Sequence, residues 1–281
     1  MRPLSQPTSA LTIAGSDSGG GAGIQADLKT FQAFGIHGLS AITALTAQNT
    51  RAVTAVHRTP PAMIEAQLDA LFDDFAIGAA KTGMLGDART IRAVVRALDR
   101  RGLPPLVVDP VMISTSGAAL LDPRAVTAMR ELLLPRAVLV TPNLLEAQAL
   151  TGRIIRRDAD CDRVAQDLLE AGAQAVLIKG GHRKGSTVVD RLYAGGHLHS
   201  FEHPRLARNG HGTGCTLAAA VTARVAQHAD IADACADATA YVHAALAGAY
   251  RPGRGKVDVL DHTVNGLDFK EGGKSGLRRK V

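Results

Sequence analysis

Three glycines at alternate positions mark the stretch of this sequence that is best suited to chemistry. The segment reads Arg208-Asn-Gly-His-Gly-Thr-Gly-Cys-Thr216 and leads into an alanine-rich segment whose apolar residues have helical spacing. The first backbone N–H groups of a helix lack partners within the helix and lie at the positive end of its dipole, and glycine lets an anion approach them. We therefore predict an anion hole formed by Gly212, Thr213 and Gly214.

Cys215 follows these glycines and would lie in the first turn of the same helix. The positive end of a helix favours thiolate over thiol, so we expect the pKa of Cys215 to be lowered. A thiolate at this place could act as a base or a nucleophile. The alternative interpretation is a glycine-rich helix start that contains a small buried cysteine.

The elements that would position these residues alternate between strand and helix. Short apolar runs bounded by turn residues are separated by segments of helical periodicity, which implies right-handed crossovers and a mostly parallel sheet with helices on both faces. Two strand-like runs around Gly195-Gly196 predict a hairpin at the sheet edge. The predicted strands of this mostly parallel sheet cover residues 11–14, 39–45, 53–57, 77–81, 106–109, 138–141 and 175–179.

Polar side chains follow several of these strands, where ligands of an open α/β sheet bind. Asn143 and Glu146 stand three residues apart at a predicted helix start. In one interpretation Glu146 only caps the helix. In the other, the pair holds a hydrated Mg²⁺ together with phosphate oxygens, and Asp109 is a further possible ligand. Lys81 and Lys179 also end strands, where each would need a phosphate or carboxylate partner, and a structural ion pair is the alternative for both.

Composition limits the classes of partner. The net charge is +6, but the last twelve residues carry five basic side chains and one acidic one, so the rest of the chain is nearly neutral. Aromatic residues make up 3% with no Trp, so nucleic acid is not an expected partner. No apolar run is long enough to span a membrane and no apolar leader stands at the start, which favours the cytoplasm.

The domain organisation follows from the absence of a linker. No Pro- or Ser-rich stretch divides the chain, so we predict one domain over residues 8–265. The basic residues 266–281 are expected to form a disordered tail. The three cysteines are widely spaced, which predicts neither a disulfide framework nor a zinc site.

A set of short motifs opens the predicted helices or follows the predicted strands. Together they strongly resemble, over about residues 10–250, the hydroxymethylpyrimidine/phosphomethylpyrimidine kinases of thiamine biosynthesis, a branch of the ribokinase-like superfamily. The motifs are Ala14-Gly-Ser-Asp17, Gly20-Gly-Ala-Gly-Ile-Gln-Ala-Asp-Leu-Lys-Thr-Phe31, Gln48-Asn-Thr50, Lys81-Thr-Gly-Met-Leu85, Val108-Asp-Pro-Val-Met112, Thr141-Pro-Asn143, Lys179-Gly-Gly-His182 and His211-Gly-Thr-Gly-Cys-Thr-Leu217.

The resemblance implies a three-layer ribokinase-like fold, a homodimer and an activity. The activity is the ATP- and Mg²⁺-dependent phosphorylation of 4-amino-5-hydroxymethyl-2-methylpyrimidine, and then of its monophosphate to the pyrophosphate. A pyridoxal kinase of the same fold is the main alternative, because pyridoxal is also a flat nitrogen ring bearing a hydroxymethyl group. A ligand sensor without catalysis is a remote alternative, against which Cys215, Asn143 and Glu146 argue together.

The resemblance also implies residue roles. Cys215 stands where related sugar kinases carry Asp and is expected to be the general base, beside the phosphoryl-binding backbone of Gly212, Thr213 and Gly214. The pyrimidine would be bound by Gln48, Asp27, Gly15, Met84 and Val111; ATP by Lys179, Asn143 and Glu146; and Mg²⁺ by Asn143, Glu146 and Asp109.

Two segments depart from the family pattern. Ser18-Gly19 replaces a common Pro-Ser, which is expected to loosen the loop near the substrate. Gly253-Arg-Gly-Lys256 replaces a common Gly-His-Gly-Pro, which puts nucleotide contacts of this segment in doubt.

Overall fold

The fold is built on one large sheet. A computed structural model describes residues 8–113, 120–181, 183 and 185–269. Nine of its strands form the sheet: β1 (Ser9–Asp17), β2 (His37–Gln48), β3 (Val53–Arg58), β4 (Ile77–Thr82), β5 (Leu106–Val108), β6 (Ala137–Val140), β7 (Ala175–Ile178), β8 (Thr187–Ala194) and β9 (His197–Pro204).

The strand order is β3-β2-β1-β4-β5-β6-β7-β8-β9. The six central strands are mutually parallel, and they are β2, β1, β4, β5, β6 and β7. The outer strands β3, β8 and β9 pair antiparallel to their neighbours. The mostly parallel sheet and the edge hairpin, β8 and β9, are therefore confirmed. The hairpin turns at Gly195 and Gly196, which both have positive φ and so adopt a conformation that favours glycine.

Helices cover both faces of the sheet. They are α1 (Gly23–Ala33), α2 (Pro61–Asp74), α3 (Ala88–Arg101), α4 (Ala125–Ala128), α5 (Leu144–Thr151), α6 (Asp158–Glu170), α7 (Thr213–Ala226) and α8 (Ile231–Ala247). Helices α1, α7 and α8 pack into one core and α2 to α6 into the other. Alternate strand residues point to opposite faces, so Leu106 and Val108 enter one core and Val107 enters the other. The result is the predicted three-layer architecture.

Local signals fix where several helices begin. Helix α2 starts at Pro61, whose missing N–H costs nothing in the first turn. Helix α3 starts after Asp87, whose side chain accepts hydrogen bonds from the N–H groups of Arg89 and Thr90. Helix α4 continues as a π-helical turn, Met129–Leu133, and periodicity alone does not reveal this change of winding.

A second, two-stranded sheet brings the glycine-rich stretch to the C-terminal part of the chain. Strand β10 (Gly210–His211) pairs parallel to β11 (Asp258–Val259). Two-residue strands carry no periodicity, so neither was predicted.

The folded region extends past the predicted boundary at residue 265. A 3₁₀-helix, Gly266–Phe269, packs against the body, with the Phe269 ring centroid 6.2 Å from that of Tyr241. Residues 270–281 of the predicted tail, and His182 of the lysine motif, lie outside the described residues. Within the described ranges, no helix is both long and apolar enough to cross a bilayer.

Candidate active site

Helix α7 begins at the glycine-rich stretch, and its geometry requires glycine at the first step. Gly212 precedes the helix with φ of 83°, a left-handed conformation that side chains disfavour. A Cβ atom at this position would also overlap the carbonyl oxygen of Gly21 in the loop before α1. Gly212 provides no side-chain cap, so the first N–H groups of α7 are left for an external acceptor.

A lysine and a carboxylate face this helix start. A Cβ atom added to Gly214 would lie 3.2 Å from Nζ of Lys179 and 3.8 Å from Oδ2 of Asp109. The ammonium group and the positive end of the helix dipole therefore point to the same space. This arrangement suits an anion such as a phosphoryl group.

Lys179 joins two carboxylates, that of Asp109 directly after β5 and that of Glu146 in the first turn of α5. Its Nζ lies 2.9 Å from Oδ1 of Asp109 and 3.7 Å from Oε2 of Glu146. Burial raises the pKa of Glu146 to about 7, and Asp109 adds to this while Lys179 opposes it. Asp109 and Glu146 in turn raise the pKa of Lys179 despite its burial. Two carboxylates thus share one ammonium group, which leaves the cluster short of positive charge.

Asn143 and Glu146 form a helix cap. The Asn143 side chain accepts from the N–H groups of Leu145 and Glu146 at 2.9 and 3.0 Å, and Glu146 accepts from the N–H of Asn143 at 2.7 Å. This is the capping box that was one of the two predicted interpretations. Among the described residues, no group of three or more His, Cys, Asp or Glu side chains is placed to hold a metal ion.

The donor set nevertheless fits Mg²⁺ in the form it takes in kinases. Mg²⁺ keeps several waters and binds through one or two carboxylates plus substrate phosphates, so a closed protein cage is not needed. Asp109 and Glu146 provide two buried carboxylates close to Lys179, and Asp109 also faces the start of α7 at Gly214. These two carboxylates share the one ammonium group of Lys179, so a further cation beside them would be attracted by the remaining negative charge.

Lys81 and Asp27 form an ion pair inside the protein. Nζ of Lys81 lies 2.9 Å from both carboxylate oxygens of Asp27, and Thr12 donates to the same carboxylate at 2.6 Å. Both charged side chains are 0% exposed. For Lys81 the structure shows the ion-pair alternative. The Asp27 carboxylate has no exposed surface and its oxygens are bonded to Lys81 and Thr12, so its contact with the pyrimidine stays a prediction.

Cys215 lies where two helices begin. It is in the first turn of α7, and the N–H of Gly23, the first residue of α1, points to its sulfur. Burial raises the pKa of Cys215 to about 12, with the carboxylates of Asp27 and Asp109 adding to the effect and Lys81 opposing it. The predicted lowering of this pKa is therefore wrong. Desolvation of the thiol outweighs the helix ends and the nearby ammonium group.

The residues expected at the pyrimidine occupy neighbouring strand ends. A Cβ atom on Gly15 would lie 3.1 Å from Sδ of Met84, so these two residues are adjacent. Val111 is half-buried in the segment after β5. Gln48 ends β2 and is half-buried, with its amide nitrogen 3.0 Å from Nε2 of His211.

The structure adds a pair that sequence reasoning missed. Oδ2 of Asp17 lies 3.2 Å from Nε2 of His211, with 4% and 11% of the two side chains exposed. Asp17 also accepts from the backbone N–H groups of Gly19, Gly21 and Ala22. The available signals were an acidic residue directly after a strand and a histidine inside the glycine-rich stretch.

The two departures from the family pattern both contact the segment around Gln48. The Ser18 hydroxyl donates to the carbonyl of Gln48 and accepts from its N–H, both at 2.8 Å. Ser18 thus fastens the loop that was expected to be loosened. The N–H of Gly255 donates to Oγ1 of Thr50 at 3.0 Å, so the 253–256 segment packs beside the end of β2.

This fold, with a strand-end lysine that faces the N-terminus of a helix, is that of the ribokinase-like kinases. A family model described as phosphomethylpyrimidine kinase matches residues 17–260. The chain belongs to this family.

Individual relatives agree with the family match. The hydroxymethylpyrimidine/phosphomethylpyrimidine kinase of Rhizobium meliloti is 52% identical over 254 residues, covering 88% of this chain and 95% of the relative. A phosphomethylpyrimidine kinase structure from Clostridium difficile has a TM-score of 0.75 at 42% identity, covering 83% and 97% of the two chains. A pyridoxal kinase from Staphylococcus aureus, in complex with AMP-PCP and pyridoxal, has a TM-score of 0.84 at 34% identity, covering 92% and 95%.

Proposed function

We propose that this protein transfers the γ-phosphoryl group of ATP to 4-amino-5-hydroxymethyl-2-methylpyrimidine, and then to the resulting monophosphate. The family and its 52% identical relative support this substrate class. The observation that carries the reaction type is the convergence of Lys179 and Asp109 on Gly214 at the start of α7.

In the first transfer, the hydroxymethyl oxygen attacks the γ-phosphorus, the bond to ADP breaks and the hydroxyl proton leaves. Charge on the phosphoryl oxygens would be stabilised by the N–H groups of Thr213 and Gly214 and by Lys179. Mg²⁺, held by Asp109 and by Glu146 with Asn143, would neutralise phosphate charge when it is bound. Asn143 and Glu146 would reach ATP through that ion.

Cys215 is proposed to receive the substrate proton. A pKa of about 12 means that the group is a thiol at neutral pH, so it would act through a minor thiolate population. Its place between two helix N-termini stabilises that minor form, and the transfer occurs where the phosphoryl group is already positioned.

A substrate comparison tests the proposal. With ATP and Mg²⁺, we expect a much higher kcat/KM for the pyrimidine alcohol than for pyridoxal, and formation of the mono- and then the diphosphate by mass spectrometry. Pyridoxal is the matched competitor because the Staphylococcus aureus neighbour binds it. Equal or better turnover of pyridoxal would overturn the pyrimidine assignment. Absence of ADP formation with either alcohol would favour a ligand sensor.

Two further properties are part of the proposal. Strand β3 pairs on one side only in the described sheet and exposes Val56, so a second copy could add to this edge and form the homodimer. Analytical ultracentrifugation would distinguish dimer from monomer. Three unpaired cysteines, Cys161, Cys215 and Cys235, suit the reducing cytoplasm, which cell fractionation would check.

A further inference from the structure

One ring nitrogen of His211 faces two groups with opposite demands. Nε2 lies 3.0 Å from the amide nitrogen of Gln48 and 3.2 Å from Oδ2 of Asp17. A neutral imidazole nitrogen either carries a hydrogen and donates or has a lone pair and accepts. An amide NH₂ needs the lone pair, whereas a carboxylate needs the hydrogen. Both neighbours cannot be satisfied with Gln48 in this orientation.

The carboxylate of Asp17 determines whether Nε2 of His211 carries a hydrogen. This carboxylate is held in place by the N–H groups of Gly19, Gly21 and Ala22 at 2.8 to 3.1 Å. The ring is held as well, because Cδ2 of His211 would be 2.7 Å from a Cβ atom on Gly21. A fixed carboxylate beside the nitrogen would repel a lone pair there, so the hydrogen resides on Nε2 and is donated to Asp17.

The other end of the Gln48 amide gives an independent argument. The Thr46 hydroxyl lies 2.9 Å from the carbonyl oxygen of Ser16 and 3.3 Å from Oε1 of Gln48. Its single hydrogen goes to the shorter contact, with Ser16. The hydroxyl is then an acceptor toward Gln48, and an amide oxygen is the wrong partner for it.

We infer that the Gln48 amide is turned so that its oxygen accepts from His211 and its NH₂ group donates to Thr46. Exchange of the nitrogen and oxygen positions moves no other atom. The single hydrogen on Nε2 of His211 is then shared between two acceptors, Oδ2 of Asp17 and the Gln48 oxygen, in a three-centre bond, and the Gln48 NH₂ group faces a lone pair of the Thr46 hydroxyl. One N–H of Gln48 then remains for the substrate. His211 is thus a specificity-determining residue: it makes Gln48 select a ring edge that presents a nitrogen acceptor.

The ligand part of this inference rests on the proposed function. An aminopyrimidine has a ring nitrogen acceptor beside its amine, whereas the 4-oxo analogue carries N–H at that position. A half-buried amide that is fixed in one direction should therefore discriminate between the two. Freed from His211, Gln48 could rotate and match either edge.

Kinetics of His211→Ala test the inference, with His197→Ala on the exposed hairpin edge as the matched control. We expect KM for the aminopyrimidine to rise roughly tenfold or more, with kcat and KM for ATP within about threefold and the preference over the 4-oxo analogue largely lost. His197→Ala should behave as wild type. A fall in kcat at unchanged pyrimidine KM would overturn the inference, because it would place His211 in the chemical step.

A second measurement needs no substrate and no variant. Long-range ¹H–¹⁵N spectra of the wild-type protein, with the His211 signal assigned, should show Nε2 as a protonated nitrogen. An unprotonated Nε2 would overturn the hydrogen-bond chain Asp17–His211–Gln48–Thr46, whatever the substrate is. If the wild type fails to phosphorylate the pyrimidine, the proposed function and the ligand part fail together, while the imidazole spectrum still decides the hydrogen-bond chain.

Discussion

Among single residues, Glu146 should make the ligand-free protein less stable as pH rises. Its pKa is raised from 4.5 to about 7, so the folded state holds this proton more tightly than the unfolded state. Stability is therefore lost between about pH 4.5 and pH 7. Glu146→Gln keeps an oxygen for the helix cap and removes the charge, so it should stabilise the protein by about 3 kcal/mol at pH 8 but by less than about 1 kcal/mol at pH 5.

Urea unfolding of wild type and Glu146→Gln at the two pH values measures this difference. A gain that is the same at pH 5 and pH 8 would show that the Glu146 charge is not the cause. The variant should also be a poorer kinase if Glu146 helps to hold Mg²⁺, so stability and activity should change in opposite directions.

Cys215 provides the second prediction at this scale. Cys215→Ala should keep ATP and pyrimidine binding but lower kcat by about 10²–10⁴, the usual range for general acid–base catalysis. Since the pKa of the thiol is about 12, the thiolate fraction grows with pH, and wild-type kcat should rise through the alkaline range. Single-turnover rates between pH 7 and pH 10 would show it.

The alanine variant should lack this alkaline rise, and Cys215→Asp should recover part of the rate. A Cys215→Ala enzyme with near wild-type kcat would leave Cys215 as a residue that only fills the helix start. In that case positioning and charge stabilisation would account for catalysis.

Residue types could be placed by sequence, but their electrostatics could not. The position of Cys215 at a helix start was predictable from the glycine pattern before it. Its pKa was not, because Asp27 and Asp109 reach it from separate elements and burial depends on how those elements pack. His211 was overlooked for the same reason: its partner Asp17 is 194 positions away.

Among the elements, the start of α7 gives the sharpest prediction. Gly212→Ala must accept both a positive φ and an overlap with the carbonyl of Gly21. Gly102 ends α3 with φ of 88° and has no atom within 4 Å of an added Cβ, so Gly102→Ala isolates the conformational cost. We expect about 1–2 kcal/mol for Gly102→Ala and a clearly larger loss, with falling kcat, for Gly212→Ala.

Chemical denaturation and steady-state rates of the two variants test this comparison. Equal destabilisation of the two variants would mean that the Gly21 carbonyl moves away from the added methyl group without lowering the free energy of unfolding further. If Gly212→Ala keeps the wild-type kcat, the start of α7 does not bind the phosphoryl group that is transferred.

Element prediction succeeded where patterns are long. Helix α8 spans Ile231–Ala247, as its periodicity indicated, and all seven predicted strands of the main sheet are present. It failed where elements are too short for a period, as in β10 and β11, and at the π-helical turn after α4. Whether Lys81 contacts a ligand or Asp27 could not be read from strand ends, since it depends on the packing of α1 against β4.

For the whole molecule, two truncations locate the end of the folded unit. Removing residues 270–281 should leave Tm, kcat and KM unchanged, because the described core and site lie before them. Removing residues 266–281 also takes the Phe269 ring from Tyr241 and Gly266 from the ring of Phe34. This second loss should cost about 2 kcal/mol.

Thermal unfolding of both truncated proteins beside the full chain provides the measurement. If the shorter truncation already lowers Tm, residues after Phe269 contribute to the fold. If the longer truncation is as stable as the full chain, the 3₁₀-helix does not contribute to the stability of the fold.

The hydrogen bond between Thr50 and Gly255 joins positions 205 residues apart. A ribosome adds residues in order from the N-terminus, so Asp17, Gln48 and Thr50 emerge long before His211 and the 253–256 segment. A nascent chain can form much of the sheet before His211 and the 253–256 segment, which complete the site, have been synthesised. Unfinished chains would therefore consume no ATP, and phosphoryl transfer would begin only when almost the whole protein has been synthesised.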